Sequence, residues 1–142
     1  MVGILIATHG DLAVSLLETA KTIVGAAKQV ETISITTDRD VDHIREELAG
    51  KIQKLDTGDG VLILTDMFGG TPANISLSFL NEKMVDVITG VNLPMIVKLL
   101  TGRDDTDLVT LSKQIEVYGK KNIYLASEML RSKKTDKRSK KA

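Results

Sequence analysis

The chain has 142 residues, 42% of them apolar, with 19 Lys plus Arg against 19 Asp plus Glu and no cysteine. That length suits one domain whose core hides roughly 70% of the unfolded surface, and the balanced charge provides no overall field toward nucleic acid. The missing cysteines exclude a disulfide scaffold, a thiol nucleophile and thiolate metal sites.

No uncharged run approaches the ~20 residues of a membrane span, and no basic segment precedes the apolar start. The expectation is a soluble, cytoplasmic protein. Charge is nevertheless segregated. Residues 131–142 hold seven basic groups (Arg131, Lys133, Lys134, Lys137, Arg138, Lys140, Lys141) beside Asp136 alone, which leaves 12 basic and 18 acidic groups before them. The reading is a single domain over residues 1–130 followed by a basic, disordered tail over residues 131–142.

In chain order, Val2 to Ala7 is a short, continuous apolar run of the kind covered by helices on both faces, so it is predicted as a central strand. Leu12, Ala13, Leu16, Leu17, Ala20, Ile23 and Val24 then keep a 3.6-residue period, with Asp11 placed to cap the helix and Gly25 to stop it. Ile33 and Ile35 alternate with Thr32, Ser34 and Thr36, the pattern of a half-exposed edge strand. Val41, Ile44, Leu48, Ile52 and Leu55 form a second helical stripe behind Asp38 and Asp40, ending near the Asp56 to Gly60 turn.

Val61 to Thr65 is the second central strand. The segment ANISLSFL, residues 73–80, nearly alternates, but Thr71 as a hydroxyl N-cap and Pro72 at the first helical position favour a helix. Met84 to Thr89 contains Asp86 and suits the opposite edge. Pro94 opens a short helix through Leu100, Leu108 to Tyr118 is the last helix, and Ile123 to Ala126 is a candidate final strand.

Strands alternating with helices imply right-handed crossovers and a mainly parallel sheet. With the first and third strands central, the strand order is 2-1-3-4: a flavodoxin-like α/β fold of three α/β/α layers, with a possible extra C-terminal edge strand. Ligands in such sheets bind beyond the carboxyl ends of the strands, at the switch between strands 1 and 3. His9 falls just past strand 1 and Asp66 just past strand 3.

Neighbouring strands lie ~4.8 Å apart, so the two side chains can touch. A carboxylate accepting Nδ1–H would leave the Nε2 lone pair directed outward as a nucleophile. The helices opening near Asp11 and at Thr71-Pro72 both point free N–H groups at this edge. Gly69 and Gly70 remove side chains that would keep a phosphoryl group from the loop backbone. No Walker lysine accompanies that loop, which argues against a nucleotide site. Asp66 could instead only cap its loop. Phe68 could pack under the loop or face partner proteins, His43 lies off the apolar stripe as a surface residue, and Asn92 reads as a loop-stabilising side chain.

The stretches ATHGDLA, LTDMFGGTPAN and GVNLPM resemble signatures of the enzyme IIA component of the mannose (mannose-fructose-sorbose) family of the bacterial phosphoenolpyruvate-dependent sugar phosphotransferase system, over about residues 1–120. The resemblance implies a phosphotransferase in which His9 accepts a phosphoryl group on Nε2 from the histidine-containing phosphocarrier protein. It then passes the group to a IIB component, working with membrane IIC and IID subunits. Asp66 would orient the imidazole and Thr71 with the following amides would stabilise the phosphoryl oxygens, within a loop set of Gly10, Phe68, Gly69, Gly70 and Pro72. The resemblance also implies a homodimer in which Ile123 to Ala126 pairs with the partner's sheet, and a stand-alone IIA, with no cofactor. Two alternatives share this geometry: a regulatory IIA read by a protein partner, and a receiver domain phosphorylated on Asp66. The second would need an acidic pair after strand 1 and a lysine after a fifth parallel strand, and this sequence shows neither.

Overall fold

The computed structural model describes residues 1–81 and 84–141, with side chains of the last helix through residue 133. The elements alternate as β1 (Gly3–His9), α1 (Leu12–Val24), β2 (Val30–Ile35), α2 (Val41–Leu55), β3 (Val61–Thr65), α3 (Gly70–Leu77), β4 (Val85–Thr89), α4 (Leu93–Gly102), α5 (Leu108–Lys121) and α6 (Ala126–Lys141). All strand pairs are parallel, in the order β2-β1-β3-β4. The predicted sheet order is therefore the observed one, and β2 and β4 are its edges.

Alternate residues of the two central strands feed two cores. Ile4, Ile6, Leu62 and Leu64 pack with α1, α4 and α5 residues such as Leu17, Ile96, Leu99 and Leu111. Leu5, Ala7, Val61 and Ile63 pack with α2 and α3 residues such as Ile44, Leu48, Ile52 and Ile75. Burial on both faces is why residues 3–7 of β1 and 61–64 of β3 are continuously apolar rather than alternating. At about 25 cal/mol per Å2 of apolar area removed from water, these two layers dominate the stability of the sheet.

Helix ends follow local chemistry, with two departures from the sequence reading. The Asp40, Asn92 and Asp107 side chains accept from Asp42, Met95 and Thr110 main-chain N–H at the starts of α2, α4 and α5. Asp11 occupies the cap position of α1 but its side chain makes no capping bond. The Thr8 hydroxyl accepts from Ala13 N at 2.7 Å instead, because a buried side chain at the end of β1 already points at the first turn of α1. Thr71 is likewise not an N-cap: α3 starts at Gly70 with Gly69 in the cap position and no side-chain cap bond. Positive φ angles of 88° and 80° at Gly69 and Gly70 turn the chain two residues earlier than the Thr-Pro pair would.

The candidate strand at Ile123 to Ala126 is corrected. Ile123 to Leu125 belong to no strand, and Ala126 opens α6. A strand needs an edge to pair with, and within one chain the good helix formers Ala126, Glu128, Met129 and Leu130 restart a helix instead. The same helix takes the backbone of the basic segment, read from sequence as without structure, to Lys141; for residues 134–142 that expectation lies outside the described side chains. Among the described residues no helix is long and apolar enough to cross a membrane.

Candidate functional site

The β1–β3 junction brings the two candidate residues together. Parallel register pairs Ala7 with Thr65, so His9, the last residue of β1, and Asp66, the first after β3, stand at the same rim of the sheet. His9 Nδ1 lies 2.8 Å from Asp66 Oδ2. The same carboxylate oxygen accepts from His9 N at 3.1 Å, and Oδ1 accepts from Met67 N at 3.1 Å.

Two main-chain donors thus fix the carboxylate before it meets the ring. Burial would raise the Asp66 pKa, but hydrogen bonds from the His9 ring and amide, with the ring's charge, hold it below the usual value. The carboxylate stays ionised and accepts Nδ1–H, which selects the tautomer whose lone pair is on Nε2. Asp66 does more than cap its own loop.

The exposed side of the ring faces α3. The His9 side chain is 47% exposed against 14% for Asp66, so the carboxylate is sheltered while about half of the imidazole side chain is open. A Cβ on Gly70 would stand 3.1 Å from both Nε2 and Cε1. Gly70 is therefore the point where the α3 backbone closes on the imidazole, and the first N–H groups of that helix, with its positive dipole end, border the Nε2 position. Pro72 and Ala73 are buried beneath that turn, and Thr71 is exposed in the first turn. Gly10 adopts a positive φ of 51° to lead the chain away from the ring.

Phe68 is 77% exposed and Met67 56%. Phe68 thus does not pack under the loop, and Met67 adds an apolar side chain that sequence reasoning did not single out. Thr8 was missed as well. A hydroxyl residue preceding a strand-to-helix turn was the available signal for it. His43 is exposed on α2, and Asn92 caps α4 while its amide donates to Gly119 O at 3.1 Å. Both take the surface and loop roles read from the sequence.

A doubly wound parallel sheet with an oriented, exposed imidazole at the switch between its central strands defines a class of α/β protein whose candidate site lies at a strand end. Comparison with known proteins narrows it. A model of the family described as PTS system fructose IIA component matches residues 3–116. The PTS system mannose-specific EIIAB component of Escherichia coli (strain K12) is 38% identical over 105 residues, covering 73% of this chain but 32% of that relative's length. The PTS system fructose-specific EIIA component of Bacillus subtilis (strain 168) is 28% identical over 136 residues, covering 95% of this chain and 93% of the relative.

Among solved structures, the PTS IIA protein associated with the fucose utilization operon from Streptococcus pneumoniae superposes with a TM-score of 0.80 at 30% identity, over 90% of this chain and 95% of that one. A phosphotransferase system component EIIA from Streptococcus agalactiae has the same fold, with a TM-score of 0.82 at 24% identity over 90% of this chain and 99% of that one. The chain belongs to the mannose-family IIA components of the sugar phosphotransferase system.

Proposed function

We propose that this protein is a phosphocarrier whose His9 Nε2 accepts a phosphoryl group from the histidine-containing phosphocarrier protein and hands it to a IIB component, in the cytoplasm. In the first step the Nε2 lone pair attacks the donor's phosphorus. The new P–Nε2 bond forms as the donor's P–N bond breaks, and that electron pair returns to the donor imidazole. Asp66 accepts Nδ1–H throughout and stabilises the charge that builds on the His9 ring. Main-chain N–H groups at the start of α3, with the Thr71 hydroxyl, receive the phosphoryl oxygens in the loop of Gly10, Phe68, Gly69, Gly70 and Pro72. The second step reverses the first onto the IIB acceptor, which serves sugar entry through IIC and IID.

The observation that carries this reading is the 2.8 Å contact from Asp66 Oδ2 to Nδ1 with Gly70 closing on Nε2. It leaves one ring nitrogen committed and the other both nucleophilic and reachable. A homodimer completes the proposal. β4 is an edge strand hydrogen-bonded on one side to β3, and Ile123 and Leu125 are 75% and 62% exposed, so residues 123–125 of one copy, which precede α6, can pair with the other's sheet.

The test is labelling with radioactive phosphoenolpyruvate and the general phosphotransferase proteins. The expected label is stable to alkali, labile to acid, absent from His9→Gln, and transferable to a IIB partner. Full labelling of His9→Gln, or an alkali-labile acyl phosphate on Asp66, would overturn the assignment.

A further inference from the structure

The basic C-terminal segment has no part in the chemistry at His9. Every side chain from Ile123 through Lys133 is exposed, with Leu130 at 56% and Met129 at 36%. Helix α6 begins five residues after α5 ends, on a backbone that continues to Lys141. The sequence that follows carries seven cations and one carboxylate in residues 131–142, whereas the preceding 130 residues have 12 basic and 18 acidic groups. One chain of zero formal net charge therefore divides into an acidic body and a cationic extension.

The spacing of those cations is one-sided. A helical repeat of about 3.6 residues collects positions 131, 133, 134, 137, 138, 140 and 141 on one half of the circumference, together with Leu130. Ser132, Thr135, Asp136 and Ser139 fall on the other half. Ten residues at about 1.5 Å each make a strip of roughly 15 Å along one side of the helix. Five of the seven cations are lysines, which act as diffuse point charges rather than as the bidentate forks that arginine offers a specific acceptor.

We propose that α6 is an electrostatic dock for an anionic membrane surface. A planar sheet of phosphate headgroups meets a one-sided strip of lysines along its whole length, while the acidic body is repelled and stands off, so attraction and orientation come from one charge distribution. Leu130 on the same half supplies an apolar contact at the headgroup boundary. A nucleic acid duplex matches less well, because its phosphates curve away from a linear strip and meet fewer of the cations at once. This inference is independent of the phosphocarrier reading, since it needs no phosphorylation.

The test is co-sedimentation of the full chain with vesicles of phosphatidylcholine alone or containing phosphatidylglycerol, at low and high salt. Binding is expected to the anionic vesicles alone, to weaken with added salt, and to fall about 100-fold or more in the K133E/K134E/K137E/K140E variant, each cation near the surface contributing separately. A K133R/K134R/K137R/K140R variant should retain it, and His9→Gln should bind as the parent does. Equal partition to neutral vesicles, undiminished binding of the charge-reversed chain, or tighter binding to a DNA duplex at the same salt would overturn the inference. Failure to sediment with normal His9 labelling sinks this inference alone; sedimentation without labelling sinks the phosphocarrier reading alone.

Discussion

At the rim where the strands begin, the buried Arg103 guanidinium donates to the carbonyls of Val2 at 3.0 Å, Gln29 at 3.1 Å and Lys28. The Gln29 side chain donates to Met1 O and Leu55 O at 2.9 and 2.7 Å, steadying a residue with a positive φ of 54°. At the rim where the strands end, Arg39 donates to Ser34 O at 2.8 Å on the β2 edge, and the central strand ends are lined differently. Gly70 lies against His9, Asp66 is held by amides, and Met67 and Phe68 stand in solvent.

The difference follows from helix polarity. Carbonyl ends of helices gather at the first rim and want a cation, whereas N–H ends gather at the second and want an anion. Arg103 meets loop carbonyls at Val2, Lys28 and Gln29 rather than the helix ends themselves, and at the second rim α3 starts with no side-chain cap. A fold can thus be closed at one end and open at the other without any change in its strands.

The sharpest way to break this contrast is Arg103→Leu. The buried bond to Val2 O and the part-buried bonds to Lys28 O and Gln29 O would go, although Gln29 O keeps Ile4 N as a donor; at about 1–3 kcal/mol for a buried group left unpaired, a loss of about 3 kcal/mol is expected in chemical denaturation, with labelling per folded molecule unchanged. Labelling that falls in step with stability would mean that the rims are not independent.

At the other rim, Asp66→Asn should slow phosphoryl transfer about 10- to 100-fold, the equivalent of the about 1.5–3 kcal/mol of a hydrogen bond to a charged group. Rapid-quench labelling measures it, and an unchanged rate would remove the orienting role. Thr8→Val deletes the hydroxyl that caps α1 from β1 and should cost about 1 kcal/mol of stability. Thr8→Ser should recover most of that loss in the same melts.

The smallest effect concerns acid. The folded Asp66 pKa lies below its ordinary value, so its contribution to stability is complete above the unfolded carboxylate pKa of about 3.9 and disappears as pH falls through the depressed folded value. Melting curves of the parent and Asp66→Asn should therefore differ at neutral pH and converge below that range. A gap that persists in strong acid would show that the difference is not electrostatic.

The sequence by itself determined the strand order, both central strands, the two amphipathic helices after β1 and β2, and the meeting of His9 with Asp66. Those features rest on apolar periodicity and crossover handedness, which are local patterns repeated along the chain. Only the tertiary structure decided that Thr8 rather than Asp11 caps α1, that Gly69 rather than Thr71 holds the cap position of α3, that residues 123–125 join no strand, and that Arg103 spans three carbonyls from two separate segments. Each of these depends on which partner comes within about 3 Å once the layers have packed, and spacing in sequence carries no record of that distance.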